Sequence, residues 1–154
     1  MSADVLVIDD EADIRDLVAG ILQDEGHQVR VARDADEALE AVSRRRPGLV
    51  VLDIWLQGSR IDGLDLLGLL HAIDPDMPVI VISGHGTIET AVAAIRKGAY
   101  DFLEKPFNAD RLLVVVNRAI ETTRLKRENA SLKARSMSGA ELVGSSAVMA
   151  QLRA

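Results

Sequence analysis

Short aliphatic runs of four to six residues alternate along most of this chain with longer stretches of helical period. That alternation constrains the fold more than any other feature. Five runs stand out: "DVLVI" (4–8), "QVRVA" (28–32), "GLVVLD" (48–53), "PVIVIS" (78–83) and the shorter "DFLE" (101–104). Near-continuous Val, Ile and Leu in so few residues mark strands buried on both faces. Strands separated by helical segments make a βα repeat, and hence a parallel sheet with helices on both sides. At 154 residues and 48% hydrophobic content there is enough material for such a core. With 3% aromatic residues the core is aliphatic, and there is little from which to build stacking platforms for bases.

The segments between the runs carry helix signals of their own. Ile14, Leu17, Val18, Ile21 and Leu22 follow the i, i+3, i+4, i+7, i+8 stripe, and Gly26 supplies a left-handed stop. A second helix is expected from a cap at Asp34 through Ala38, Leu39 and Val42, ended by Pro47 and Gly48. Arg44, Arg45 and Arg46 complement the dipole in its last turn and read as a solvated turn, not a nucleic-acid patch. A third helix follows Asp62-Gly63, and a fourth runs from a cap at Thr87 to Gly98. A fifth begins near Asp110 and overruns, with no Pro or Gly from 111 to 135. Val115, Thr122 and Asn129 fall seven apart, and Leu125 and Leu132 lie three residues after the last two. This is a weak heptad, interrupted at Arg118, and it fits either a parallel two-stranded coil or a lone linker helix. "SMSG" (136–139) reads as a hinge, and "AELVGSSAVMAQLRA" begins something further.

Several classes are excluded or disfavoured. There are no cysteines, so disulfide frameworks and thiolate metal sites are absent. Gly58 and Gly63 have phosphate-loop spacing but lack the Lys and Ser/Thr that follow in such loops. The start "MSAD" has no basic region and the first apolar run is too short to span a bilayer, so a soluble, cytoplasmic protein without membrane contact is expected. His27, His71 and His85 have no metal-ligand spacing. Charge is uneven: residues 1–110 carry 10 Lys/Arg against 21 Asp/Glu, and residues 111–154 carry 8 against 3. An acidic body of that kind attracts cations, while the basic tail is read as a charged helix face.

In an open parallel sheet, ligands bind outside the carboxyl ends of the strands. Asp9 and Asp10 end the first run, Asp53 the third and Ser83 the fourth, and Lys105 follows the fifth. Carboxylates about 4 Å apart repel by ~1 kcal/mol in water and ~4 kcal/mol at the effective dielectric of a protein surface. Oxygen ligands suit a hard cation, and Mg²⁺ in particular is held by one or two carboxylates while keeping room for phosphate. A metal, a lysine and a hydroxyl around one carboxylate form the cage that phosphoryl transfer needs, with the carboxylate as covalent acceptor.

"VIDDE" (7–11), "VVLDIW" (50–55), "VISGHG" (81–86) and "GAYDFLEKPF" (98–107), in this order, resemble the receiver domain of two-component response regulators over residues 3 to about 120. The resemblance implies a (βα)₅ flavodoxin-like fold with strand order 2-1-3-4-5. It implies Asp53 as acceptor of a phosphoryl group from a sensor kinase phosphohistidine. It implies Mg²⁺ held by Asp9, Asp10, Asp53 and the Trp55 backbone carbonyl, with Ser83 and Lys105 on the phosphoryl group. It further implies a cis bond between Lys105 and Pro106, and Phe102 as a switch aromatic that turns inward as Ser83 moves, with Gly84 leaving room; the plain alternative for Phe102 is a core side chain. Trp55 and His85 stand where the family tunes water access, and two bulky rings there imply a long-lived phosphoryl group. Such a domain is a signalling switch, not an enzyme, beyond catalysing its own aspartyl phosphorylation and dephosphorylation.

One departure stands out. Receivers commonly read D-x-x-M-P-x-x-D-G after the acceptor, whereas "DIWLQGSRIDGL" lacks the proline and is two residues longer before Asp62-Gly63. That insertion looks like the NtrX branch of the NtrC family, regulators of nitrogen-related transcription. "LVGSSAVMAQLRA" resembles the opening of the AAA+ domain of sigma-54-dependent activators. The implied layout is a receiver over 1–120, a helical or coiled-coil linker and hinge over 121–139, and the start of an AAA+ domain over 140–154. The implied partners are an NtrY-like sensor histidine kinase and a second copy in a homodimer, with DNA and sigma-54 RNA polymerase reached through domains not in this sequence. Two rivals remain at this point. A hydrolase using Asp53 as a transient nucleophile expects D-x-D-x-[TV], which "DIWLQ" does not match, and a phosphorylation-independent interaction domain retains the pocket only as structure.

Overall fold

The computed structural model describes residues 3–84 and 87–143, with side chains through residue 126. Five parallel strands, β1 (Asp4–Ile8), β2 (Gln28–Ala32), β3 (Leu49–Asp53), β4 (Val79–Ser83) and β5 (Asp101–Glu104), lie in the order β2-β1-β3-β4-β5. They alternate with α1 (Ala12–Asp24), α2 (Ala35–Arg44), α3 (Gly63–Ile73), α4 (Ile88–Arg96) and α5 (Ala109–Val143). This is the flavodoxin-like order, in which the chain reverses direction across the sheet between β1 and β3. The Lys105–Pro106 bond is cis.

Because successive strand residues face opposite sides, each strand feeds two cores. Leu6, Ile8, Val50, Leu52 and Val81 pack with Ala38, Val42, Leu66, Leu67 and Leu70 of α2 and α3. Val5, Val7, Val51, Ile80 and Ile82 pack with Val18 and Leu22 of α1 and Leu112, Val115 and Val116 of α5. The aliphatic reading of the core holds: every one of its fully buried large side chains is Leu or Ile.

Helix ends follow local chemistry. The side chains of Asp34, Asp62 and Thr87 accept backbone N–H groups of Glu37, Asp65 and Thr90, capping α2, α3 and α4. Gly26 and Gly98 take positive φ after α1 and α4. Leu17, assigned to the core stripe of α1 by its spacing, is instead 51% exposed, since Val18 and Leu22 already fill that contact. α4 is thinly anchored: Ala94 is its one buried residue, while Ile88, Val92 and Ile95 face outward.

The chain divides into two compact units, residues 1–120 and 121–154. In the second unit the helix continues through 136–139, the stretch read as a hinge, to Val143. Serine and methionine do not forbid helix, and a single glycine costs about 1 kcal/mol relative to alanine without removing a hydrogen bond. Residues from 144 onward, which hold most of the expected AAA+ opening, lie outside the described residues.

Candidate functional site

β1 and β3 pair in parallel with Ile8 opposite Leu52, so Asp9 and Asp53, each one residue further along, emerge side by side at the carboxyl edge. Asp9 is fully buried there and Asp53 is nearly so. β4 and β5 bring Ser83 level with Glu104, and the Lys105 amide donates to the Ser83 carbonyl at 2.8 Å, which turns the lysine toward the same edge. Its ammonium lies 3.2 Å from Asp53 Oδ2, 3.3 Å from Asp9 Oδ2 and 3.4 Å from Glu11 Oε1. Asp9, Asp10, Glu11 and Asp53 each present an oxygen within 4.8 Å of the others. A cavity of about 330 Å³ opens above them, lined by Asp10, Glu11, Asp53, Trp55, Gln57, Gly84 and Lys105.

Backbone amides supply part of the compensation. Glu11 N–H donates to Asp9 Oδ1 at 2.9 Å, Trp55 N–H to Asp53 Oδ1 at 3.0 Å and Gln57 N–H to Asp10 Oδ2 at 3.3 Å. Among the described residues Asp9 Oδ2 is buried without a hydrogen-bond partner of good geometry, and the Lys105 ammonium stands at ion-pair distance, 3.3 Å away. Burial pushes the Asp9 carboxyl up from 3.8 to about 6, against the Glu11 amide, with the Asp53 charge adding to the rise. Burial also raises Asp53, opposed by the Trp55 amide and by Lys105. For Lys105, burial works downward, but the charges of Asp53 and Asp9 outweigh it and hold the ammonium above its ordinary value. One cation therefore faces more carboxylate than it can neutralise.

A second cation fits that deficit. A buried carboxylate oxygen lacking a hydrogen bond, within an all-oxygen cluster, is the donor set a hard divalent ion takes. The structure thus brings Asp9, Asp10, Asp53 and Lys105 into one cluster and adds Glu11, a third carboxylate beside Asp9 and Asp10 that is not among the ligands the resemblance implies. Glu11 was detectable only as the third member of "DDE". Trp55 stands at the cavity wall, 51% exposed, and Ser83 is buried at the end of β4. Phe102 is not in the cavity lining: it is partly buried and packs against the cluster formed with α2, α3 and α4. A side chain at Gly84 would touch Lys105 Cδ at an ordinary 3.6 Å. His85 lies outside the described residues.

A doubly wound sheet carries its ligand sites outside the carboxyl ends of its strands, and that is where this acidic, lysine-bridged cavity lies. The family model for the response regulator receiver domain matches residues 5–117. The nitrogen assimilation regulatory protein NtrX of Azorhizobium caulinodans is 60% identical over 154 residues, which is 100% of this chain and 34% of that protein. A crystal structure of NtrX from Brucella abortus superposes with a TM-score of 0.85 at 62% identity, covering 99% of this chain and 34% of that one. The solution structure of the beryllofluoride-activated NtrC4 receiver domain dimer gives 0.73 at 40% identity, covering 78% of this chain and 98% of that one. The chain belongs to the response regulator receiver domain family and is the receiver domain of an NtrX/NtrC-type response regulator. It spans about a third of the length of the curated NtrX relatives it matches. Among the described residues no helix is long and apolar enough to cross a membrane.

Proposed function

We propose that the domain is a Mg²⁺-dependent phospho-acceptor switch, charged on Asp53 by the phosphohistidine of an NtrY-like sensor kinase. An Asp53 carboxylate oxygen bonds to phosphorus as the phosphorus–nitrogen bond breaks, and the electron pair of that bond returns to the imidazole. Lys105, 3.2 Å from Asp53 Oδ2, is placed to hold a phosphoryl oxygen, and the Trp55 amide to hold the other Asp53 oxygen. Ser83 contributes a hydroxyl to the phosphoryl group. Asp9, Asp10 and Asp53, with the Trp55 carbonyl, would hold Mg²⁺. When bound, that ion neutralises the carboxylates and the phosphoryl oxygens. The observation that carries the reading is the buried Asp9 Oδ2, which has no hydrogen bond beside the acceptor.

Phosphorylation then biases an equilibrium between two arrangements of α4, β5 and α5, with Phe102 and Ser83 as switch residues. A difference of ~1–3 kcal/mol is enough for coupling of this kind. The thin anchorage of α4 and its outward Ile88, Val92 and Ile95 favour that face as the one that changes homodimer contacts. The output passes along the α5 linker to an AAA+ domain, and through it to sigma-54 RNA polymerase and DNA at nitrogen-related genes, in the cytoplasm. Slow autodephosphorylation ends the signal.

The test is intact mass after incubation with acetyl phosphate, with and without Mg²⁺, on the wild type and on Asp53→Asn. A single Mg²⁺-dependent phosphoryl adduct that disappears in the variant is expected. No adduct on a folded, Mg²⁺-binding wild type overturns the proposal.

A further inference from the structure

The stretch between β3 and α3, residues 54–62, carries the two-residue insertion, and it is pinned at both its base and its tip. At the base, a Cβ on Gly63 would collide with the backbone of Ile54, so the two ends are pinched together. Leu56 is buried among the core residues and Gly58 turns the chain with φ +73°. At the tip, Ser59 Oγ accepts the Ala35 N–H at 3.1 Å and donates to the Ile61 carbonyl at 2.7 Å. That satisfies one of the unpaired amides at the start of α2. Arg60 bonds Asp36 in the first turn of α2 at 2.8 Å. Between base and tip the segment presents its amides to the cavity: Trp55 to Asp53 and Gln57 to Asp10. Both residues line the cavity mouth.

A loop that needed only to connect β3 to α3 would not require contacts with α2, 24 residues away in sequence. Those contacts reach no group that reacts, yet they fix the segment that walls the cavity. We propose that Ser59 and Arg60 are positioning residues: they clasp the loop to α2, hold Trp55 and Gln57 across the mouth, and so set how fast water reaches an acyl phosphate on Asp53. The inference rests on the phospho-acceptor reading and adds to it the residues that time the switch. In the step being timed, a water oxygen bonds to phosphorus and the bond from phosphorus to the Asp53 oxygen breaks. The electron pair returns to the carboxylate, and the water's proton leaves with the phosphate or to solvent. Arg60 and Asp36 are both exposed, so salt screens their pairing, and an effect of about two- to fivefold on the decay rate is expected from opening the clasp.

The experiment follows the acetyl phosphate adduct by intact mass after donor removal in the wild type, Ser59→Ala, Arg60→Asp, Asp36→Arg and the Asp36→Arg/Arg60→Asp double variant. Acrylamide quenching of Trp55, the single tryptophan, is read in parallel. Faster decay and stronger quenching in each single variant are expected, with both returning toward wild type in the charge-swapped pair. The wild-type advantage over Arg60→Asp should shrink in 1 M salt. Equal decay rates in all variants overturn the proposal, as does a change in quenching without a change in decay. Failure of the wild type to take any adduct overturns the phospho-acceptor reading instead, and the timing role falls with it.

Discussion

β1 begins with one aspartate, Asp4, and is followed directly by another, Asp9, and the two are treated oppositely. At the amino end, Asp4 is held by Arg30 at 3.1 Å and Arg45 at 2.8 Å, and Arg30 also donates to the carbonyls of Ala41 and Arg45. That end is electrically closed. At the carboxyl end, Asp9 is more deeply buried, shares one lysine with Asp53 and Glu11, and keeps an oxygen with no hydrogen bond. The same strand supports both, so burial alone does not explain the difference. A fold that can pair a carboxylate with two guanidinium groups at one edge leaves the other short of positive charge, and that shortfall is what a cation and a phosphoryl group would complete.

The contrast is sharpest at Lys105. Lys105→Met removes the ammonium that pairs with Asp9 and Asp53 and should lower the rate of adduct formation from acetyl phosphate by about 10²–10³-fold, the size seen when an electrostatic stabiliser is lost; the rate of mass gain checks it. A rate within twofold of wild type would break the comparison.

The pH response comes next. The folded pKa of Asp9, about 6, lies above its unfolded value of 3.8. The extra stability is therefore complete below about 3.8 and lost as pH rises through about 6. Metal-free protein should gain up to about 3 kcal/mol from this residue as pH falls from 7 toward 4, read from urea midpoints. Added Mg²⁺ should flatten that slope by stabilising the charged form. The amino end predicts a smaller effect of the opposite kind. Asp4→Asn should cost about 1–2 kcal/mol through lost charge-assisted hydrogen bonds, while leaving Mg²⁺ affinity and adduct formation unchanged. Smallest of all, Glu11→Gln should weaken Mg²⁺ binding about two- to threefold in a Trp55 fluorescence titration, since Glu11 is 62% exposed and screened.

Much of this was legible in the sequence. The five strands are continuous aliphatic runs bounded by turn residues, and such runs have few alternatives in a βα pattern. The positions of Asp9, Asp10, Asp53 and Lys105 were readable because strand ends in a parallel sheet converge on one edge, and the structure brings those four together. What escaped depends on contacts distant in sequence. Nothing local in "DVLVI" shows that Arg30 and Arg45 close over Asp4. The conformation of 54–62 rests on Ser59 and Arg60 meeting α2, which no periodicity encodes. Helical spacing placed Leu17 inward because a stripe cannot tell how wide the contacted groove is.

The most direct test of the unequal ends is urea unfolding of the wild type and Asp9→Asn at pH 7.5, each with and without Mg²⁺. Without the ion, Asp9→Asn should be the more stable protein, and Mg²⁺ should raise the wild type while leaving the variant unmoved. A variant less stable than wild type, together with a wild type indifferent to Mg²⁺, would contradict the view that the carboxyl edge is kept short of charge for a cation.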